Sequence, residues 1–262
     1  MFNQLTPVVK NLIIINVLMY LACAVIPGLH EMAAGYYYQS PLFRPWQILT
    51  HMFTHASLRS GNIMHIFFNM YALFLFGSAI ERVWGAKRFL IYYLLTGLGA
   101  FFLHELINHI EIQRLIASLD PEAVRYVFEN GVEVLQTNKQ FRLDEMNQLN
   151  YALIRLDEMN QLNYALNIGV VGASGCVFGV LLAFGMLFPN TELMLLFPPI
   201  PLKAKWLVII YGALELFLAL QNNPGDNVAH YAHIGGMLFG YVILKFWQKR
   251  DGSFYGRGNR WS

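Results

Sequence analysis

The stretch VGASGCVFG, residues 171–179, decides the fold because it lies inside an uncharged apolar run at about residues 168–188. A helix needs about 20 residues of this kind to cross a bilayer, so the run is long enough to span one. Its serine, Ser174, stands between Ala173 and Gly175, where a helix surrounded by lipid has no need of a hydroxyl group. The serine is therefore either part of a seam of small residues between packed helices or a residue that takes part in chemistry.

The composition of the whole chain indicates a membrane protein. Of its 262 residues, 56% are hydrophobic and only 13% are charged, whereas soluble domains carry about 25% charged residues. Apolar stretches recur six times, at about residues 11–27, 63–80, 88–103, 168–188, 206–220 and 230–247. The pattern predicts an all-α membrane protein with six spans, the shorter of which extend into neighbouring residues.

The Lys and Arg residues are distributed unequally between the segments that join these stretches. With the N-terminus in the cytoplasm, 11 of the 18 basic residues fall on the cytoplasmic side and 7 on the other, mostly in one long loop. Cytoplasmic loops are enriched in Lys and Arg, and long loops count little, so we expect both termini in the cytoplasm. We expect a multi-pass protein of the bacterial inner membrane. The net charge of +2 is a topology signal, and no motif points to nucleic acid.

Residues 104–167 differ from the rest in composition, with 10 acidic and 5 basic residues. The segment RLDEMNQLNYAL at 142–153 recurs identically at 155–166, and one copy fits a helix with Leu143, Met146 and Leu149 near one face. We therefore predict a polar, helical, extracytoplasmic insertion between the third and fourth spans of a single domain, residues 1–262. Two roles stay open for it, a solvated spacer and a gate for substrate.

Polar residues inside predicted spans are candidates for function because their burial in lipid is costly. In HIFFN, His65 and Asn69 are four residues apart and share one face of the second span. In AHIGGMLFG, residues 232–240, His233 shares a stripe with two glycines. Glycines spaced in this way let another helix approach closely, and they are Gly236 and Gly240 on the sixth span and Gly172, Gly175 and Gly179 on the fourth.

Packing these two glycine-lined spans together predicts a hydrogen bond between Ser174 and His233. A serine hydroxyl becomes a good nucleophile when a neutral imidazole takes its proton. The oxyanion that then forms needs hydrogen-bond donors, and His65, Asn69 and the Ser174 backbone N–H are the candidates. No Asp or Glu adjoins Ser174 or His233 in sequence, so a Ser–His dyad held by the ring of Phe178 fits better than a triad.

These motifs, in their order and spacing, resemble the rhomboid family of intramembrane serine proteases. The resemblance covers nearly all of the chain outside 104–167 and rests on PWQILTHMFTH (45–55), HIFFNMYALFLFG (65–77), ERVWGAKRFL (81–90), GASG (172–175) and AHIGGMLFG (232–240). It implies a six-helix bundle with Ser174 as the nucleophile and His233 as the general base. It also implies that His65 and Asn69 join the oxyanion hole and that Phe178, often Tyr in relatives, stacks on His233.

The resemblance has further implications. Residues 28–62 correspond to a membrane-embedded first loop, and Glu81 and Arg82 to a structural charge cluster in the loop after the second span. Partners are membrane lipids and transmembrane proteins, which are cleaved at small residues followed by helix-destabilising ones. No metal or organic cofactor is implied, and nothing in the sequence points to an oligomeric state. The connection between the third and fourth spans is usually short in this family, which makes the insertion a departure.

Two other function classes remain open. Some rhomboid relatives keep the fold without the dyad and act in binding or quality control. A membrane metalloenzyme is the second alternative, since the chain has the pairs His51/His55 and His230/His233. The stretch HMFTH, however, lacks the general-base glutamate of an HExxH helix, which makes loop anchoring the better interpretation of His51 and His55. An α/β-hydrolase is excluded because GASGC is not G-x-S-x-G and does not follow a predicted strand.

Overall fold

The computed structural model describes residues 5–57, 63–137, 141, 155–194, 200–221 and 229–252. Helices dominate this part of the chain. They are α1 (Pro7–Val25), α2 (Leu29–Ala33), α3 (Gln47–Thr50), α4 (Ile63–Ala72), α5 (Ser78–Trp84), α6 (Ala86–Ser118), α7 (Pro121–Thr137), α8 (Leu156–Asn167), α9 (Ala173–Leu187), α10 (Ala204–Gln221) and α11 (His230–Asp251). The other elements are a 3₁₀ turn (His51–Phe53), a π turn (Leu73–Gly77) and the antiparallel strands β1 (Glu192–Met194) and β2 (Pro201–Lys203).

Four of the described segments are long and apolar enough to cross a membrane. They are α1, the continuous helix from Ile63 to Trp84, α6 and α10. The helix α11 has 22 residues, but its histidines and its lysines lower its hydropathy. The helix α9 is apolar and has only 15 residues. The number of crossings that we expect, six, therefore stays a prediction.

The fourth predicted span, residues 168–188, is wrong at its start. The backbone before Ala173 is not helical, and Val170 forms an antiparallel bridge with Gly35 of the first loop. Hydropathy alone does not separate an extended apolar segment from a helix, which explains the error. As a consequence, Ser174 is the second residue of α9 and does not lie in the middle of a helix.

The glycines of α9 and α11 bring three helices together. A methyl group on Gly236 would overlap the carbonyl oxygen of Gly175, so the backbones of α9 and α11 touch at this point. The other predicted seam residues pack elsewhere: a methyl group on Gly240 would meet the Tyr92 hydroxyl of α6, and one on Gly172 would meet the His51 ring. The prediction of a single seam between two helices is thus corrected, because α6 packs against both of them.

One end of the bundle holds a buried carboxylate that joins α5 to α1. Glu81 is 4% exposed and accepts hydrogen bonds from the Thr6 hydroxyl and from the backbone N–H groups of Val8, at 3.0 Å, and Val9, at 2.9 Å. The first N–H groups of a helix lack intrahelical acceptors, so Glu81 caps α1, which begins with Pro7, a favoured first residue. Glu81 lies within a helix and not in the loop where the sequence placed it.

At the same end, α6 and α11 are joined by an ion pair. Arg88 Nη1 lies 2.9 Å from Asp251 Oδ2, and the guanidinium stands 4.3 Å from the centre of the Trp247 ring. Trp247 packs edge-on against Trp84, with ring centroids 5.5 Å apart. The start of α6, the end of α5 and the end of α11 therefore meet in one aromatic cluster.

A second hydrophobic core lies beyond the bundle, between the far half of α6, α7 and α8. Its buried members include Ile112, Leu115, Val127, Met159 and Leu162. The second copy of the repeated segment forms α8, and its Met159 and Leu162 correspond to Met146 and Leu149 of the first copy. The first copy, residues 142–153, lies outside the described residues. The helix predicted for one copy is thus found in the second one.

Candidate active site

Ser174 and His233 lie at the ends of two touching helices. His233 is in the first turn of α11, and its Nε2 atom lies 2.8 Å from Ser174 Oγ, which is a hydrogen-bond distance. Both residues are only 7% exposed. The close contact between Gly175 and Gly236 accounts for this geometry, because it leaves no room for a side chain between α9 and α11.

The ring of Phe178 lies flat against His233. The two ring centroids are 4.2 Å apart and the ring planes are inclined by 10°. Phe178 is one helical turn after Ser174, so the serine and the ring project from the same side of α9. This stacking limits the rotation of the imidazole and keeps its Nε2 edge directed at the serine.

A carboxylate stands at the other nitrogen of His233. Glu215, from α10, places Oε2 2.9 Å from His233 Nδ1 and 2.6 Å from His230 Nδ1. The contact with His230 is a hydrogen bond, while the contact with His233 has the distance of one without the alignment. Glu215 is thus a contact of His233 that the sequence analysis did not predict.

The sequence reasoning missed Glu215 because it considered only acidic residues next to Ser174 and His233. The carboxylate belongs to a different helix, 18 positions before His233. A signal was nevertheless present, since Glu215 is the one charged residue in the apolar stretch 206–220. Ionisable residues inside apolar helices are candidates for functional sites.

Glu215, His230 and His233 are also a candidate set of metal ligands. Their ligand atoms all lie within 4.8 Å of one another, and His and carboxylate are common Zn²⁺ ligands. Ligands at tetrahedral Zn²⁺ stand about 3.3 Å apart, given metal–ligand bonds of about 2.0–2.1 Å. The separations of 2.6 Å and 2.9 Å are shorter and fit a hydrogen-bonded network better than a metal site.

His65 and Asn69 project from α4 into the cavity that contains Ser174. The Nδ1 atom of His65 accepts the backbone N–H of Ala56 at 3.2 Å, so the ring proton of the neutral imidazole is on Nε2. Asn69 Nδ2 donates to the His65 carbonyl at 2.8 Å, and a second N–H remains on the same amide nitrogen. Both side chains therefore carry donors on the wall of the site.

The cavity has a volume of about 2200 Å³ and separates α4 from α10. Ser174, His233 and Phe178 line it together with apolar side chains of both helices, among them Phe68 and Ile210. Polar side chains of α6 and α8 also line it, namely Asn108, Glu111, Asp157, Asn160 and Gln161. The space is thus apolar between the helices and polar beside the second core.

Comparison with known proteins agrees with the family resemblance of the sequence motifs. A family model described as the rhomboid domain matches residues 43–111 and 149–249, more than half of the chain. The unmatched part between these ranges falls inside the insertion. The chain is 27% identical over 223 residues to an uncharacterized mitochondrial rhomboid protein of Schizosaccharomyces pombe. The alignment covers 79% of this chain and 53% of that protein, so the chain spans about half the length of the curated relative it matches. The match and the apolar helices identify an integral, multi-pass membrane protein.

Proposed function

Since the chain belongs to the rhomboid family, we propose that it is an intramembrane serine endopeptidase that hydrolyses peptide bonds in or near transmembrane helices of other membrane proteins. One observation carries this proposal, the 2.8 Å separation between His233 Nε2 and Ser174 Oγ on the wall of a large cavity. The family suggests hydrolase activity in general, and the residues that perform it are our assignment.

In the first step Ser174 Oγ forms a bond with the carbonyl carbon of the scissile peptide, and its proton passes to His233 Nε2. The carbonyl oxygen becomes an oxyanion, which needs donors directed at it. The backbone N–H of Ser174 belongs to the first turn of α9, where N–H groups lack intrahelical acceptors and the helix dipole favours negative charge. We assign His65 and Asn69 as the side-chain donors.

In the second step His233 gives this proton to the leaving amine nitrogen, the carbon–nitrogen bond breaks, and an acyl-enzyme on Ser174 remains. A water molecule then attacks the ester carbon while His233 takes its proton. His233 returns that proton to Ser174 Oγ as the product acid leaves. Water has to reach the serine for this step, and we assign the polar side chains of α6 and α8 that line the cavity as its path.

The substrate reaches the site between α4 and α10, the second and fifth predicted spans, because the cavity lies between them. A peptide bond inside a helix is hydrogen-bonded and sterically shielded, so the substrate helix has to unwind near its end. Helix-destabilising residues after the scissile bond favour this unwinding, and the family resemblance implies small residues at the bond itself. We assign transmembrane proteins of this kind as substrates and membrane lipids as the surrounding partner.

The position of the site in the membrane follows from the predicted topology. Six crossings put Ser174 near the extracytoplasmic surface if both termini are cytoplasmic, and the insertion 104–167 then lies on the same side. Reporter domains fused to either terminus test this orientation. The bacterial inner membrane stays a prediction, to which the relative named as mitochondrial adds no support.

Cleavage of a single-span reporter in liposomes tests the proposed activity. We expect the wild type to cleave the reporter and Ser174→Ala and His233→Ala to be inactive. Ser78→Ala is the matched control, because Ser78 is a fully buried serine near the opposite end of the second predicted span. Full activity of Ser174→Ala would refute the proposal.

Two alternatives have distinct results in the same assay. A metalloenzyme using Glu215, His230 and His233 would be inactivated by EDTA and would tolerate Ser174→Ala. A catalytically silent binding protein would leave the reporter intact in every sample while still capturing it in a pull-down experiment.

A further inference from the structure

We propose that Glu215 is a positioning residue for the proposed Ser–His pair and that His230 anchors it. The inference rests on the proposed function and deepens it. Glu215 is the acceptor that determines which ring nitrogen of His233 carries the proton. The observation behind it is one carboxylate oxygen, Glu215 Oε2, that lies 2.9 Å from Nδ1 of His233 and 2.6 Å from Nδ1 of His230.

The argument begins with the two possible tautomers of His233. A neutral imidazole carries one proton, on Nδ1 or on Nε2. With the proton on Nε2, His233 donates to Ser174 Oγ and cannot take the serine proton. With the proton on Nδ1, Nε2 has a free electron pair directed at Ser174, as a general base requires. Activity therefore depends on a group that keeps the proton on Nδ1.

An ionised carboxylate performs this task because it only accepts hydrogen bonds. Glu215 Oε2 stands beside Nδ1 and so favours the tautomer with the proton there. When His233 takes the serine proton and becomes charged, the same carboxylate stabilises the imidazolium. Both residues are more than 90% buried, and the attraction between charges is stronger at such a site than in water.

His230 explains why the carboxylate stays in place. Its Nδ1 donates a hydrogen bond to Oε2 at 2.6 Å, and His230 is also buried. Its ring stands almost perpendicular to that of His233, with an inclination of 88° and ring centroids 6.3 Å apart. The His233 contact has the distance but not the alignment of a hydrogen bond. Catalytic contacts are often poorly aligned before substrate binds and tighten in the complex.

The test compares Glu215→Gln with wild type in the reporter assay, with Ser174→Ala as the inactive reference. Glutamine has nearly the same shape but offers no negative charge and can also donate. We expect kcat to fall on the order of 10-fold or more with KM nearly unchanged. His230→Gln should have a smaller effect on kcat in the same direction. Glu122→Gln, which changes an exposed carboxylate in the first turn of α7, should keep the wild-type kcat.

A conservative variant separates positioning from a structural role. Glu215→Asp keeps the charge, so we expect it to recover part of the kcat lost in Glu215→Gln, and it also serves if Glu215→Gln does not fold. A wild-type kcat in Glu215→Gln, with Ser174→Ala inactive, would overturn this inference and leave the proposed function standing. Equal losses in the Gln and Asp variants would also overturn it. Activity in Ser174→Ala would overturn both proposals.

Discussion

The two ends of the helical bundle use buried polar residues in opposite ways. At the end formed by the start of α1 and the end of α11, Glu81 caps a helix and Arg88 is paired with Asp251 and covered by Trp247. At the other end Ser174, His233 and Glu215 line or adjoin a cavity of about 2200 Å³. Polar groups are enclosed by their partners at the first end and lie at a cavity at the second.

The comparison teaches that burial alone does not identify a functional residue in this molecule. Glu81 is 4% exposed and Glu215 is 8% exposed, yet their contacts differ. The carboxylate of Glu81 meets backbone N–H groups and a hydroxyl group, which have fixed protons. The carboxylate of Glu215 meets two imidazoles, whose protons can move. All eight histidines of the chain lie at the cavity end or in the first loop and insertion beside it.

The largest expected effect comes from separating the helices at the cavity end. In Gly236→Val the new side chain overlaps the carbonyl of Gly175, which pushes His233 away from Ser174. We expect reporter cleavage to fall by about 100-fold or more, since general base catalysis contributes factors of this size. Cleavage rates of the purified variant in liposomes measure the loss.

The matched control for this change is Gly212→Ala in α10. A methyl group there meets only the flexible end of Met237, so activity should stay close to wild type. If Gly236→Val cleaved as fast as the control, the close contact between α9 and α11 would not be needed for catalysis.

The next largest effect concerns the Glu81 cap at the opposite end of the bundle. Glu81→Gln removes the charge that accepts three hydrogen bonds at the start of α1. Hydrogen bonds to charged groups contribute about 1.5–3 kcal/mol each, and glutamine retains part of them, so we expect the free energy of unfolding to fall by about 2 kcal/mol. Thermal unfolding in detergent measures it. The kcat of the folded fraction should be unchanged, and a loss of kcat at constant stability would contradict the separation of the two ends.

A smaller effect concerns the folding stability of the protein at acidic pH. Burial lowers the pKa of His51, in the first loop, from its usual 6.5 to about 4. Between these values the unfolded chain binds a proton that the folded protein does not, so stability falls as the pH decreases from about 6.5 to about 4. The slope for this residue is at most about 1.4 kcal/mol per pH unit.

Melting temperatures at pH 7 and pH 5 check this, with His51→Gln as the comparison. The variant lacks the titrating group, so its melting temperature should decrease less between the two pH values. An identical decrease in both proteins would assign the acid sensitivity to other groups, such as His55, whose pKa burial lowers to about 3.

The smallest effect on activity is expected when the first copy of the repeated segment is deleted. Deleting residues 142–154 removes the first copy and one linking residue, and keeps α8 with its buried Met159 and Leu162. Because the second copy packs in the second core and is kept, we expect kcat for the reporter to remain close to that of wild type. A complete loss of activity would give the first copy a functional role.

The sequence predicted those parts of the site that depend on local spacing. Phe178 lies one turn after Ser174, and the helical pattern of the second repeat copy predicted α8. It did not predict partners that distant segments supply, such as Glu215, or the contact of Gly172 with His51. It also misplaced the start of α9, because Gly35 pairs with Val170 and an apolar run does not reveal a partner 135 positions away.

The π turn Leu73–Gly77 links the two ends within one continuous helix. A residue advances an α-helix by about 100°, and a π turn accommodates one residue more than an α turn. The half before the turn directs His65 and Asn69 into the cavity, while the half after it directs Glu81 at the start of α1. If the same residues formed a regular α-helix without this wide turn, the two halves would be about 100° out of phase with their partners, and the chain would have to give up either its proposed oxyanion donors or its cap.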